Sequence, residues 1–225
     1  IVEPVQRIIF PEDGFLQGLR RICDQHGVLL IFDEVVTGFR LALGGAQAWL
    51  RVKPDLACYG KIVGGGGPLG CVAGRSEIIE RANPKHKGEP DFAYVNGTLH
   101  GNPVAAAAGL ATIKVLEEPG FYDKLHEKSQ RLTSALQEVL DRHGLPAIAA
   151  GNRSFWQILF MTGEPHNQTD IMASDQVRMR ELDLELLRRG IYVLPGVRRF
   201  VCAVNSDEDF DDTVGALDAA CTAIN

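Results

Sequence analysis

The lysine at position 61 has the setting of a chemically reactive amine. It follows the apolar run Leu56-Ala57-Cys58-Tyr59 and precedes four consecutive glycines, residues 64–67. Apolar neighbours disfavour the charged form of an amine, and glycines let other groups approach closely. This pattern predicts that Lys61 forms a covalent bond with a carbonyl carbon. A phosphate-binding P-loop is excluded, because the lysine of a P-loop follows its glycines instead of preceding them.

A carboxylate, Asp33, follows a continuous apolar stretch. Residues 28–32 are typical of a central strand buried on both faces, and open α/β sheets bind ligands at the ends of such strands. Asp33 and Val35 are two residues apart, so on a strand they face the same side while Glu34 faces the other. Asp33 is therefore either a ligand-binding acid or an acid that caps the end of the strand.

A third candidate, Thr98, lies in the segment Asn96-Gly97-Thr98-Leu99-His100-Gly101-Asn102-Pro103. An alanine-rich helix is predicted to follow over residues 103–117. The glycines expose backbone amides and Thr98 adds a hydroxyl, which together suit an anion at the start of a helix. The alternative interpretation is an ordinary capped turn.

Taken together, the lysine, the carboxylate and the Gly-Thr segment predict a pyridoxal phosphate (PLP) site. The aldehyde of this cofactor requires a lysine, its ring nitrogen a buried acid, and its phosphate a set of amides and hydroxyls. A charge-assisted hydrogen bond between the ring nitrogen and Asp33 would be worth roughly 1.5–3 kcal/mol.

The composition argues against several other classes of function. A net charge of −6 and a pI near 5.5 do not suit a nucleic-acid-binding or polybasic membrane surface. No apolar run reaches the length of a bilayer span. The five cysteines are odd in number and lack C-x-x-C spacing, which indicates reduced thiols and a cytoplasmic location. The six histidines lack ligand spacing, so no metal is expected.

The remaining elements must position these residues. A helix predicted over 12–26 and followed by the strand at 28–32 favours a mostly parallel, crossover-connected sheet. A change of composition at residues 117–120 predicts a domain boundary, with a large domain over 1–118 and a small α+β domain over 119–225. In the small domain we expect helices over 121–142, 175–189 and after a Ser206–Asp209 capping box, strands over 155–160, 191–194 and 200–204, and a polar loop over 163–174.

At the level of whole motifs the chain resembles a known family. The segments FDEVVTGFR (32–40), GGAQAWLRVKPDLACYGKIVGGGGPLG (44–70) and NGTLHGNPVAAAAGLAT (96–112) resemble class III PLP-dependent aminotransferases, and are most similar to glutamate-1-semialdehyde 2,1-aminomutase. The resemblance implies fold type I, an α/β fold with a mostly parallel sheet in its large domain and a small C-terminal α+β domain. Family members have a longer N-terminal portion with a further phosphate loop and a ring-stacking aromatic residue, so the chain is expected to be the C-terminal part of the enzyme.

The resemblance also implies a role for each matching residue. Lys61 would be the Schiff-base lysine and the proton shuttle, Asp33 would hold the pyridinium, and Val35 would pack against the ring. Thr98 would bind the phosphate in the site of the neighbouring subunit, so a homodimer is implied. The substrates would be a small-molecule amino donor and an oxo acceptor.

The segment Pro195-Gly196-Val197-Arg198-Arg199-Phe200 stands where the aminomutase has a Phe-Glu-Ala-Gly-Phe-type stretch. Either arginine could bind a substrate carboxylate, or both could belong to a solvated basic turn. The expected function is exchange of amino and oxo groups by an aminotransferase or aminomutase. The alternatives are another PLP reaction on this scaffold, such as racemisation or decarboxylation, and an inactive dimerisation or regulatory module.

Overall fold

The computed structural model describes residues 1–225, which divide into two compact units. The first unit comprises Ile1–Val5 and Pro11–Phe121, and the second comprises Gln6–Phe10 and Tyr122–Asn225. Each unit has its own sheet and helices.

A three-stranded sheet forms the centre of the first unit. Its strands, in spatial order, are β1 (Ile31–Glu34), β2 (Leu56–Tyr59) and β3 (Cys71–Gly74). β1 and β2 are parallel, whereas β2 and β3 are antiparallel. The predicted α/β class is confirmed, although the sheet within this chain is mixed, with one parallel and one antiparallel pair.

Four helices accompany this sheet: α1 (Phe15–His26), α2 (Gly45–Trp49), α3 (Ser76–Ile79) and α4 (Pro103–Leu116). α1 ends at Gly27, which takes the left-handed conformation (φ 61°) expected of a helix-terminating glycine. One face of the sheet packs against α1, and the buried core there consists of Leu16, Leu30, Phe32, Val52 and Ala57.

The predicted strand at 28–32, buried on both faces, is wrong in two respects. The N–H of Val28 donates to the carbonyl of Cys23 (2.9 Å), so Val28 closes the end of α1 and the strand begins only at Ile31. Along β1, Phe32 and Glu34 are buried while Ile31 and Asp33 are half-buried. The helices of this chain therefore bury one face of β1 and leave the other partly open.

The second unit contains an antiparallel sheet in the order β4-β5-β6. Its strands are β4 (Ile148–Asn152), β5 (Phe155–Leu159) and β6 (Arg199–Phe200), and every residue of β5 is buried. The helices that follow the first unit are α5 (Phe121–Arg142), α6 (Gln168–Ala173), α7 (Gln176–Arg188) and α8 (Asp207–Ile224).

Several local predictions for the second unit are wrong. The expected polar loop at 163–174 contains α6, which begins with an Asn167–Asp170 capping box. Residues 191–194 form no strand, and only Phe200 of the predicted 200–204 strand pairs with β5. The helices predicted over 121–142 and 175–189 are present as α5 and α7, and the Ser206–Asp209 capping box begins α8.

No helix of either unit combines the length and the apolar character that crossing a bilayer would require.

Candidate active site

Asp33, Val35 and Lys61 come together where β1 and β2 end. The two strands are parallel and Glu34 pairs with Tyr59, so their carboxyl ends meet at one edge of the sheet. A Cβ atom on Gly60 would lie only 3.2 Å from Cγ1 of Val35. The segment that follows β1 therefore packs directly against the residue that precedes Lys61.

Asp33 occupies a half-buried position with one oxygen in use. Its Oδ1 accepts a hydrogen bond from the N–H of Val35 (3.0 Å), which fixes the carboxylate relative to the strand end. This bond leaves Oδ2 for a donor supplied by a ligand. The paired residue in β2 is Cys58; burial raises the pKa of this thiol, and the Asp33 charge raises it further. Cys58 is consequently neutral near pH 7 and adds no second negative charge beside Asp33.

Lys61 begins a short 3-10 turn that extends to Gly64. Its φ of 53° lies in the left-handed region, which is uncommon for a residue with a side chain and costs of order 1 kcal/mol. The side chain is exposed, whereas Val63 and Gly64 of the same turn are buried. The apolar surroundings expected for the amine are thus absent within this chain, because the apolar part of the turn packs inward.

The glycines after Lys61 were expected to let other groups approach the lysine. In the structure they let a neighbouring helix approach the turn. A Cβ on Gly65 would clash with the carbonyl oxygen of Ala108, and a Cβ on Gly109 would clash with the carbonyl oxygen of Val63. The group that approaches closely is therefore the backbone of α4. This contact fixes the turn that carries Lys61 against a fourteen-residue helix.

Thr98 lies on an exposed stretch of chain that leads to α4. The helix start itself is capped by Asn102, whose Oδ1 accepts hydrogen bonds from the N–H groups of Val104 (2.9 Å) and Ala105 (3.4 Å). No hydrogen bond of the structure joins Thr98 to Asp33 or Lys61. Within one chain, the structure brings together the first three predicted site residues but not Thr98.

Glu34 is a residue to which the sequence assigned no function. It is fully buried, and its carboxylate accepts hydrogen bonds from the N–H groups of Ala46 (2.6 Å) and Gln47 (3.0 Å) and from the hydroxyl of Thr37 (2.9 Å). Two features of the sequence could have indicated its role: Glu34 faces the buried side of a strand, and Gly44 and Gly45 stand at the start of the helix that contacts it. The buried carboxylate ties β1 to α2.

The two arginines proposed for the substrate lie in the second unit. Arg199 is buried and forms an ion pair with Asp183, and its guanidinium lies 5.0 Å from the centre of the Trp156 ring. Burial raises the pKa of Asp183, and the positive charge of Arg199 opposes that shift. A solvated basic turn is therefore wrong for Arg199. Arg198 is half-buried and packs over the ring of Phe200 at 5.8 Å.

A cavity of about 560 Å³ in the second unit is lined by both arginines. Tyr192, Trp156 and Phe210 supply aromatic surface to it. The lining thus combines aromatic and charged side chains.

Comparison with known proteins decides the family. Residues 1–191 match the family model of the class-III aminotransferases. The chain belongs to this family. The resemblance drawn from the three motif segments is therefore confirmed.

Solved structures agree with this assignment. An omega-transaminase from Sphaerobacter thermophilus is 32% identical over 95% of this chain and 48% of its own, with a TM-score of 0.83. A beta-phenylalanine aminotransferase from Variovorax paradoxus is 29% identical over 97% of this chain and 50% of its own, with a TM-score of 0.84. A glutamate-1-semialdehyde-aminomutase from Pseudomonas aeruginosa PAO1 is 25% identical over 100% of this chain and 51% of its own, with a TM-score of 0.86. The fold is fold type I, and the chain spans about half the length of these structures.

Proposed function

We propose that the protein is a PLP-dependent aminotransferase that moves an amino group from a small-molecule donor to an oxo acceptor. The observation that carries this proposal is the convergence of Asp33, Val35 and Lys61 at one sheet edge, in a chain of the class III family. An inactive dimerisation or regulatory module would have no need to keep these three residues together.

The residues at this edge fit the cofactor. Asp33 has an oxygen available for a protonated ring nitrogen, Val35 offers an apolar surface for the ring face, and the exposed amine of Lys61 can reach an aldehyde. A lysine-to-alanine variant of the glutamate-1-semialdehyde-aminomutase from Pseudomonas aeruginosa PAO1 has been solved in complex with PMP, the amino form of the cofactor. When bound, the cofactor supplies a reactive aldehyde and a ring that withdraws electrons from the reacting carbon.

Each residue then has a defined task. Nζ of Lys61 would hold the cofactor and, once released, would move the proton from Cα of the donor to C4′ of the cofactor. Oδ2 of Asp33 would accept a hydrogen bond from the ring nitrogen and keep that nitrogen protonated. Val35 would pack on the ring and fix its tilt. The hydroxyl of Thr98 would bind the phosphate in the site of a second subunit, so we propose a homodimer.

The second unit offers a group for the substrate. Since Arg199 is committed to Asp183, Arg198 is the better candidate to bind a carboxylate of the donor or acceptor. Both arginines line the cavity of about 560 Å³, so the preference for Arg198 rests on the ion pair between Arg199 and Asp183.

Aminomutase activity is a second candidate, favoured by the similarity of segments 32–40, 44–70 and 96–112 and by the TM-score of 0.86. The basic segment at 195–200 favours an intermolecular reaction instead. The two are separated by analysing the products formed from a single amino-oxo substrate. An aminomutase converts this substrate into its isomer without a second substrate, whereas an aminotransferase requires a separate oxo acceptor and releases an oxo product from the donor.

Replacement of Asp33 tests the proposal. In the full-length protein, Asp33→Asn should lower turnover roughly 100- to 1000-fold, because a neutral amide stabilises the ring charge far less than a carboxylate does. The cofactor should still be retained through Lys61. Asp24→Asn, a change of the same type at an exposed carboxylate of α1, serves as the control. Undiminished turnover in Asp33→Asn would contradict the assigned role.

A further inference from the structure

We propose that Glu34, Gln47 and Tyr59 form a positioning network that fixes the ends of β1 and β2 relative to each other. By doing so, the network sets the placement of Asp33 and Lys61. This inference rests on the proposed function, because placement matters only if both residues act on one cofactor. The three side chains would be positioning residues, since none of them would touch cofactor or substrate.

Glu34 is the anchor of the network. Its side chain is fully buried, and backbone N–H groups at the start of α2 satisfy its charge. Gly45 is in the left-handed conformation (φ 67°), and a Cβ there would clash with Oε2 of Glu34. The glycine allows α2 to approach the carboxylate closely enough for these hydrogen bonds.

Gln47 connects the two strands. Its Nε2 donates one hydrogen bond to Oε1 of Glu34 (3.2 Å) and another to the hydroxyl of Tyr59 (2.6 Å). A side-chain amide has two N–H donors, so both are in use. Glu34 ends β1 and Tyr59 ends β2, and the amide therefore ties together the two strand ends from which the candidate site projects.

Tyr59 connects the hydrogen bond from Gln47 to the backbone that leads to Lys61. Its ring packs on Gly38, where a Cβ would lie 2.5 Å from Cδ1 of Tyr59, and its centre is 5.8 Å from that of Phe39. Burial raises the pKa of Tyr59 and the charge of Glu34 raises it further, so the hydroxyl stays neutral and can accept the bond from Gln47. The backbone then has one residue, Gly60, before the left-handed turn at Lys61.

The network and the candidate site lie on opposite faces of the sheet. Successive strand residues point to opposite sides, which puts Glu34 on the buried face and Asp33 on the half-open face. An effect of the network on catalysis must therefore pass through the backbone of β1 and β2. A misplacement of about 1 Å at an active site can reduce rates by up to about 100-fold.

The test uses Tyr59→Phe and Gln47→Leu in the full-length enzyme loaded with PLP. Tyr59→Phe removes only the hydroxyl and keeps the ring packing, so it should fold. We expect each variant to lower kcat about fivefold to tenfold with an unchanged KM for the amino donor, and to shift the pH midpoint of the cofactor's visible absorbance. The double variant should be no slower than Gln47→Leu alone, because both changes remove the same hydrogen bond.

Gln17→Leu is the matched control. It makes the same substitution in the first unit, where the exposed Gln17 donates to the carbonyl of Leu50 (3.2 Å). If Gln17→Leu lowers kcat as much as Gln47→Leu, the network has no special role. Wild-type kcat and absorbance in Tyr59→Phe and Gln47→Leu, with lower stability alone, would overturn the inference and leave the proposed function standing. Absence of a lysine-dependent absorbance in the wild-type enzyme would overturn both.

Discussion

Asp33 and Glu34 are adjacent carboxylates that lie on opposite faces of β1, and their surroundings differ accordingly. Asp33 keeps an oxygen for a ligand, whereas Glu34 is fully enclosed by hydrogen-bond donors. The face of the strand on which Asp33 lies could be predicted from strand alternation, which is a local property. The role of Glu34 could not be predicted in this way, because its partners Ala46 and Gln47 lie beyond a turn whose path is set by tertiary packing.

Asp55 provides a prediction about pH at the residue scale. It is 7% exposed and accepts hydrogen bonds from the N–H of Leu30 (2.7 Å), from Arg20 (2.8 Å) and from Arg75 (3.0 Å). Burial alone would raise the pKa of Asp55, but these three bonds outweigh it and lower the pKa to about 2. The bonds therefore stabilise the folded state fully above about pH 4, and this contribution is lost as the pH falls towards 2.

We expect this contribution of Asp55 to be about 2 kcal/mol. Urea denaturation at pH 5 should show that the wild type has a larger free energy of unfolding than Asp55→Asn. At pH 2 the difference between the two proteins should be smaller by about this amount. Asp24→Asn, which removes the exposed partner of Arg20, should show no such narrowing. A gap that stays constant between these pH values would contradict the assignment.

Among the elements, apolar runs after a helix-terminating glycine were the main source of error. Val28 follows Gly27 and Ile191 follows Gly190, and each donates its N–H back to the preceding helix, to Cys23 (2.9 Å) and Leu186 (3.0 Å) respectively. The first residue of each run is thus part of the helix end and not of a strand. Amphipathic helices such as α5 were predicted accurately, because the period of their apolar residues is independent of the tertiary partner.

The contact between α4 and the Lys61 turn gives a prediction at the element scale. Gly109→Ala would push a methyl group into the carbonyl oxygen of Val63, a backbone atom that cannot move without shifting the turn. We expect a loss of about 1–3 kcal/mol in the free energy of unfolding and weaker retention of PLP. Gly215→Ala in α8 is the control, since nothing lies within 4 Å of a Cβ there and alanine should stabilise the helix slightly. Equal stability of the two variants would argue against the contact.

For the whole molecule, the family and fold type were predictable because three motif segments occur in a specific order. The domain boundary after residue 118 and the homodimer stay predictions. Thr98 illustrates why: it is exposed in this chain, and its proposed role requires a second subunit. The chain spans about half the length of the matched structures, so its activity has to be measured on the full-length protein.

The central claim is that Lys61 carries the cofactor, and covalent labelling tests it most directly. Full-length protein is incubated with PLP, reduced with borohydride, digested and examined by mass spectrometry. We predict a visible absorbance that borohydride removes and a phosphopyridoxyl group on Lys61, with neither in Lys61→Ala. No absorbance with added PLP, or a label found on another lysine while Lys61 is unmodified, would contradict the claim.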